Sequence, residues 1–236
     1  MRTIGFSTGA LAKGDFAFGL DAQREVPGID AVELSALRDH ELLSLIDAID
    51  SLDVEGFEYI SFHAPSRLTA MDEEEAFDLL VRVPEAWPII VHPELLRTPS
   101  LWRRLESRLC IENMDDRKTT GRTVPELRTL FDTFPEATFC LDLGHARQID
   151  PTMISAILML REFGDRLRQL HVSDVGPRGE HLPLGATARN SFARVARFVP
   201  DDCPIIIESI IPIDVIEREL DAVIAVFEAP LAQATA

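Results

Sequence analysis

The sequence predicts a single (β/α)8 barrel, an α/β fold of eight parallel strands, spanning residues 1–236. Three observations carry this expectation. Eight short apolar runs recur along the chain, amphipathic charged stretches separate them, and the links between are short. Strands buried on both faces read as nearly unbroken hydrophobicity, and strands alternating with helices build parallel βαβ units. Eight such units close a barrel.

In order, the runs are TIGFS (3–7), AVEL (31–34), YISFH (59–63), PIIVH (88–92), LCIEN (109–113), TFCLD (138–142), LRQLHV (167–172) and PIIIES (204–209). Between them, helical patterning is read over about 15–26 and in ELLSLIDAIDSL, EEEAFDLLVRV, VPELRTLFDTF, PTMISAILMLREF and DVIERELDAVIAVF. Asp39, Thr123 and Asp150 are read as helix-start residues, since short polar side chains cap free N–H groups there. An open doubly wound sheet is the alternative. Such sheets bind nucleotides at a glycine-rich first turn, and STGALAKG is neither G-x-G-x-x-G nor a phosphate loop. No linker, low-complexity tract or short repeat divides the chain.

Forty acidic residues against 23 basic ones give a net charge of −17. So acidic a surface disfavours nucleic acid, which needs clustered cations. The densest basic cluster, around Arg97, Trp102, Arg103, Arg104 and Arg108, is read as a solvated helix face. The start, MRTIGFSTG, lacks a basic region followed by an apolar stretch, and no apolar run approaches the roughly 20 residues that cross a bilayer. Cys110, Cys140 and Cys203 lie in or beside apolar segments and are expected as buried free thiols. The expected location is cytoplasmic.

The chemistry collects at the ends of the runs: Ser7, Glu33, His63, His92, Glu112 with Asn113, Asp142, His171 and Glu208. His145 and His181 follow shortly after, while His40 falls at a helix start and is read as solvated. Parallel barrel strands all point one way, so these residues should meet around one mouth. Ser7 and Glu33 are read equally as rim residues or functional ones. For Glu112, Asp142, His171 and Glu208 a rim role fails collectively. Four ionisable groups ending apolar strands leave buried charge uncompensated unless a cation joins them. Mixed carboxylate and imidazole donors suit Mn²⁺, Zn²⁺, Mg²⁺, Co²⁺ or Fe²⁺, and the absence of cysteine ligands argues against a structural zinc.

These strand ends resemble the xylose-isomerase-like TIM barrel superfamily, which includes sugar isomerases, epimerases and endonuclease IV. The resemblance runs from SFHAP through LCIEN, CLDLGHA and LHVSD to IIIES, and is most specific at Asp142-x-x-His145, HVSD and HLPLG. It implies one central metal on Glu112, Asp142, His171 and Glu208. By similarity to the epimerases, Glu112 and Glu208 are the proton-transfer residues, with His145 and Arg178 contacting the substrate. By similarity to endonuclease IV, His63 and His92 join Glu112 around a second ion, and His145 and His181 serve a third. The aspartate that completes that third site is replaced here by Gly179, unless Glu180 or Asp174 reaches in.

The sequence therefore favours a metal-dependent isomerase or epimerase of a small sugar or related hydroxy-carbonyl compound, with metal phosphoester hydrolysis as the alternative. A non-catalytic binding barrel is disfavoured because the strand-end carboxylates are retained. With only two lysines, Lys13 and Lys118, duplex DNA is a poor substrate. Loops 64–72, 114–122 and 174–190 are expected to shape the pocket. Short loops leave the mouth uncovered, with room for a second copy of the chain to close it as a homo-oligomer.

Overall fold

The apolar runs become strands of matching position. In the computed structural model, which describes residues 2–228, they are β1 (Ile4–Ser7), β2 (Ala31–Ser35), β3 (Tyr59–His63), β4 (Ile89–Val91), β5 (Leu109–Glu112), β6 (Thr138–Asp142), β7 (Leu167–Val172) and β10 (Ile205–Ile207). They pair in parallel as a closed barrel in the order β1-β10-β7-β6-β5-β4-β3-β2. A short antiparallel hairpin, β8 (Asp174–Val175) with β9 (His181–Leu182), rises between β7 and β10. Both ends of the domain expected over 1–236 fall outside the described residues. No described helix is long and apolar enough to cross a membrane.

Strand side chains alternate between two buried environments. Ile89, Val91, Leu109, Ile111, Phe139, Leu141, Leu170, Val172, Ile205 and Ile207 belong to the large core beneath the helices. Their alternates Ile90, Cys110 and Cys140 form a separate small cluster inside the barrel. Continuing the alternation upward puts His92, Glu112 and Asp142 above that inner plug. The same period explains why apolar strands end on buried polar groups. The cysteines are all free and buried, as expected.

The helices depart from expectation in instructive places. Thr123 caps the helix Val124–Thr133 by accepting from Glu126 N–H. Asp39, by contrast, lies inside the helix Asp39–Ala48, whose N-cap is Arg38. Its carboxylate leaves the helix and accepts from the backbone N–H groups of Thr69 and Ala70, tying down the loop after β3. Asp150 serves the next helix from outside the N-cap position. That helix, Ile154–Phe163, has Met153 at its N-cap position, yet the Asp150 carboxylate still accepts from Ser155 N–H in its first turn, as well as from Thr152 N–H in the turn before it. The basic cluster is a solvated face only in part: Arg97, Arg103 and Arg104 are exposed, but Trp102 and Arg108 are not. Trp102 ends a one-turn helix (Pro99–Trp102), is fully buried and donates from Nε1 to Glu73 at 2.6 Å. Arg108 ties down the carbonyls of Val83 and Pro84.

Candidate metal centre

Glu112 ends β5 at the centre of the site. Its two oxygens face different partners. Oε2 lies 3.2 Å from His63 Nε2 and 3.1 Å from His92 Nε2, while Oε1 lies 3.2 Å from His145 Nδ1 and 3.5 Å from His171 Nδ1. Glu112 is buried, so this carboxylate sits among four imidazoles away from bulk water.

Local geometry fixes each neighbour. Asp142 ends β6 and caps the short helix Leu143–Ile149: its Oδ1 accepts from His145 N–H at 2.7 Å. That bond is why the D-x-x-H spacing matters. It brings His145 over the strand end and leaves Oδ2 facing inward. Asn113 locks the adjoining strand ends, donating to Asp142 O at 2.9 Å and accepting from Asp142 N–H at 2.7 Å. Glu208, just past β10, approaches His171 Nδ1 and His181 Nδ1, both at 3.4 Å.

Ligand atoms of Glu112, Asp142, His171 and Glu208, the four residues expected from sequence, lie within 4.8 Å of one another. Two further groups meet the same limit: His63, His92 and Glu112, and Glu33, His63, His171 and Glu208. Asp142 Oδ2 and His171 Nδ1 are buried with no hydrogen-bond partner. Buried polar atoms without partners are costly. Two such atoms pointing into one space, beside two more carboxylates, fit a divalent cation.

The electrostatics point the same way. Burial, with the neighbouring Glu112 and Glu208 charges, pushes the Asp142 carboxyl up to about 6 against the pull of His145. Burial, together with Glu112 and Glu33, also raises Glu208. Burial opposes ionisation of Glu112 too, but His92 and His171 hold it well below the usual carboxylate range. His63 and His145 are pushed up to about 9 and about 10 by surrounding carboxylates despite burial. Protons on imidazoles thus offset charge that a cation would otherwise offset, and metal binding would release them.

Sequence reasoning left Glu33 undecided; it lies at the heart of the site. Fully buried, its Oε2 accepts from Gln169 Nε2 at 2.8 Å and Ser61 Oγ at 3.1 Å, and lies 3.0 Å from His171 Nε2. By accepting from Nε2–H, an ionised Glu33 would leave His171 Nδ1 as the nitrogen that can offer a lone pair to a metal. Carboxylates commonly orient metal-ligating histidines in this way. Ser7, also undecided, is buried at the end of β1 but does not line the cavity over the site.

That cavity, of about 540 Å³, opens above the cluster and is lined by His63, His92, Glu112, His145, His181 and Glu208 at its base. Arg178 does not reach it. That side chain is 89% exposed and pairs with Glu180 at 2.6 Å, because the β8–β9 hairpin turns its tip to solvent. The cations on the cavity wall are instead Arg67, Arg117 and Lys118. Neither Glu180 nor Asp174 compensates for Gly179, since Glu180 pairs with Arg178 and Asp174 with Arg147. Asp115, which sequence reasoning missed, comes nearer: it is buried and 4.0 Å from His145 Nε2. Its position within loop 114–122, two residues beyond Asn113, was the available signal.

No protein-family model and no curated protein matches the chain. Solved structures do. Endonuclease IV from Thermus thermophilus superposes with a TM-score of 0.56 at 20% identity, over 96% of this chain and 98% of that one. The 3-keto-D-glucoside 4-epimerase from E. coli gives a TM-score of 0.57 at 14% identity, over 96% and 99%. One is a nuclease and the other an epimerase, so the likeness speaks for architecture and leaves the reaction to the site. The chain has the (β/α)8 TIM barrel fold, in the arrangement of these solved structures.

Proposed function

We propose that the chain is a divalent-metal-dependent isomerase or epimerase of a small sugar or related hydroxy-carbonyl compound. The observation that carries this reading is the placement of Glu112 and Glu208. Their strands are separated in the barrel by β6 and β7, which supply Asp142 and His171. The two carboxylates therefore flank that pair, and both line the cavity. One carboxylate would take a proton from the carbon beside the substrate carbonyl, leaving the electron pair delocalised as an enediolate. The other would return a proton to the opposite face of that carbon, or to its neighbour. A Mn²⁺, Zn²⁺, Mg²⁺ or Co²⁺ ion on Glu112, Asp142, His171 and Glu208 would polarise the carbonyl and stabilise the developing negative charge. His145, which lines the cavity, would bind a substrate oxygen.

A second reading, hydrolysis of a small phosphoester, rests on a different observation. His63 and His92 both face Glu112 Oε2, so Glu112 could bridge two ions, and paired ions about 3.5–4 Å apart clamp phosphoesters. A full three-ion centre is disfavoured by Gly179. The experiment that separates the readings is proton exchange in D₂O with candidate ketoses, run beside turnover of a generic phosphodiester. Deuterium incorporation that is lost in Glu208→Gln supports the isomerase. Phosphodiester turnover with two equivalents of metal and no exchange would reverse the order.

A further inference from the structure

The cavity wall holds cations that the proposed proton transfer does not use. We propose that Arg67, Arg117 and Lys118 form an oxyanion subsite, so that the substrate carries a phosphate or carboxylate group besides its hydroxy-carbonyl end. This rests on the isomerase reading and narrows its substrate class.

Three of the chain's 23 basic residues meet on this one cavity, in a protein with 40 acidic ones. Two cavity-lining carboxylates hold two of these cations in place: Glu94 accepts from Lys118 Nζ at 2.7 Å, and Asp115 Oδ2 accepts from Arg117 Nε at 3.0 Å and from Nη2. Arg67 is exposed and has no ion pair or hydrogen bond among the described residues. Among the wall groups, Lys118 and Arg117 are balanced by Glu94 and Asp115, which leaves the charge of Arg67 without a partner beside the cavity. A neutral sugar gives that charge nothing to do. An anionic group pairs with it.

Arg117 is built in rather than loosely placed. Its Nη1 donates to Arg178 O at 2.8 Å, and its backbone N–H donates to Asp115 Oδ1 at 2.9 Å. Of five guanidinium N–H groups, three are engaged and two remain to donate. Gly179 makes the placement possible. A Cβ there would lie 1.8 Å from Arg117 Cζ, and the backbone φ of +76° independently favours glycine. The position that breaks the three-ion ligand pattern is thus the space into which Arg117 packs. Arg67 is likewise placed from below, because the loop carrying it is tethered through Thr69 and Ala70 to Asp39.

The test is calorimetric titration of the Mn²⁺-loaded protein with inorganic phosphate and, separately, with acetate, alongside metal affinity measured in the same preparations. Wild type should bind one of these anions. R67Q and R117Q should each weaken it about tenfold, the worth of one charge-assisted hydrogen bond, with metal affinity unchanged. G179A should weaken it too, although every charge is retained. Preference for phosphate identifies a phosphate ester, and preference for acetate a carboxylate. Anion binding that is equally tight in R67Q and R117Q, or absent in wild type, overturns the subsite. R67Q decides if R117Q misfolds, since Arg67 has no structural partner to lose. Failure to bind Mn²⁺ at all is a separate readout and overturns the metal-dependent reading beneath the proposal.

Discussion

Replacing Glu33 by Gln changes a carboxylate that touches no solvent and whose direct contact with the four central residues is to His171. Its Oε2 lies within 3.1 Å of Ser61 Oγ, Gln169 Nε2 and His171 Nε2, all able to donate, while Oε1 has no partner. A glutamine amide can be placed two ways. With its nitrogen at the Oε2 position, it opposes the Gln169 and His171 donors. With its oxygen there, its NH₂ is buried where Oε1 now has no partner. In either case His171 loses an anionic acceptor, and its metal-facing Nδ1 loses basicity and orientation. Loss of such a supporting group costs about 10–100-fold in metal affinity, or about 1.4–2.7 kcal/mol. Titration with Mn²⁺ measures this, and the visible spectrum of the Co²⁺-loaded protein reports whether the ligand field has changed. Glu33→Asp should recover part of the affinity. Unchanged Mn²⁺ affinity and Co²⁺ spectrum in Glu33→Gln would refute the positioning argument.

Other perturbations follow from the same geometry. Asp142→Asn should weaken metal binding more than Glu33→Gln, because it removes the inward Oδ2 while the cap to His145 N–H can persist through the amide oxygen; equal affinity by titration would contradict the site. Backbone N–H donors hold the Asp39 carboxyl down to about 2. A depressed carboxyl contributes stability that is present above its unfolded pKa and lost as pH falls toward the folded value. Asp39→Asn should therefore cost about 1 kcal/mol at neutral pH after allowance for solvent screening, and flatten the acid limb of a denaturation series below the unfolded carboxylate range. Gly5→Ala should destabilise the barrel by about 3 kcal/mol in chemical denaturation, as overpacking does, since its Cβ would meet the β2 backbone 1.7 Å from Ala31 O. Burial pushes the Cys110 and Cys203 thiols up to about 12, so a thiol reagent at neutral pH should react with neither until the protein is unfolded.

The barrel was legible because parallel strands buried on both faces leave unbroken apolar runs. All eight appear, β6 with the same limits as its run. The four central residues were legible for a related reason. Period-two alternation turns a polar residue at a strand end toward the barrel axis, and parallel topology sends all such residues to one mouth. What stayed hidden depends on side-chain reach. Asp39 looks like a helix cap, but finds donors in the loop after β3, while Asp150 reaches the first turn of its helix from outside the cap position. Arg178 lies in a pocket-shaping loop, yet a short hairpin points it outward. Arg117 fills the cavity wall only because Gly179 leaves room, a pairing between distant parts of the chain that no local pattern announces. Glu33 could not be separated from a rim residue until its contact with His171 was seen.

The central claim is that Glu112, Asp142, His171 and Glu208 hold a divalent cation. Elemental analysis of the purified protein, with and without prior chelation and Mn²⁺ or Zn²⁺ reloading, tests it most directly. At least one equivalent of divalent metal per chain, lost on combined Asp142→Asn and Glu208→Gln substitution while the protein stays folded, is the predicted result. Folded wild-type protein that takes up no divalent metal from either salt would contradict the account.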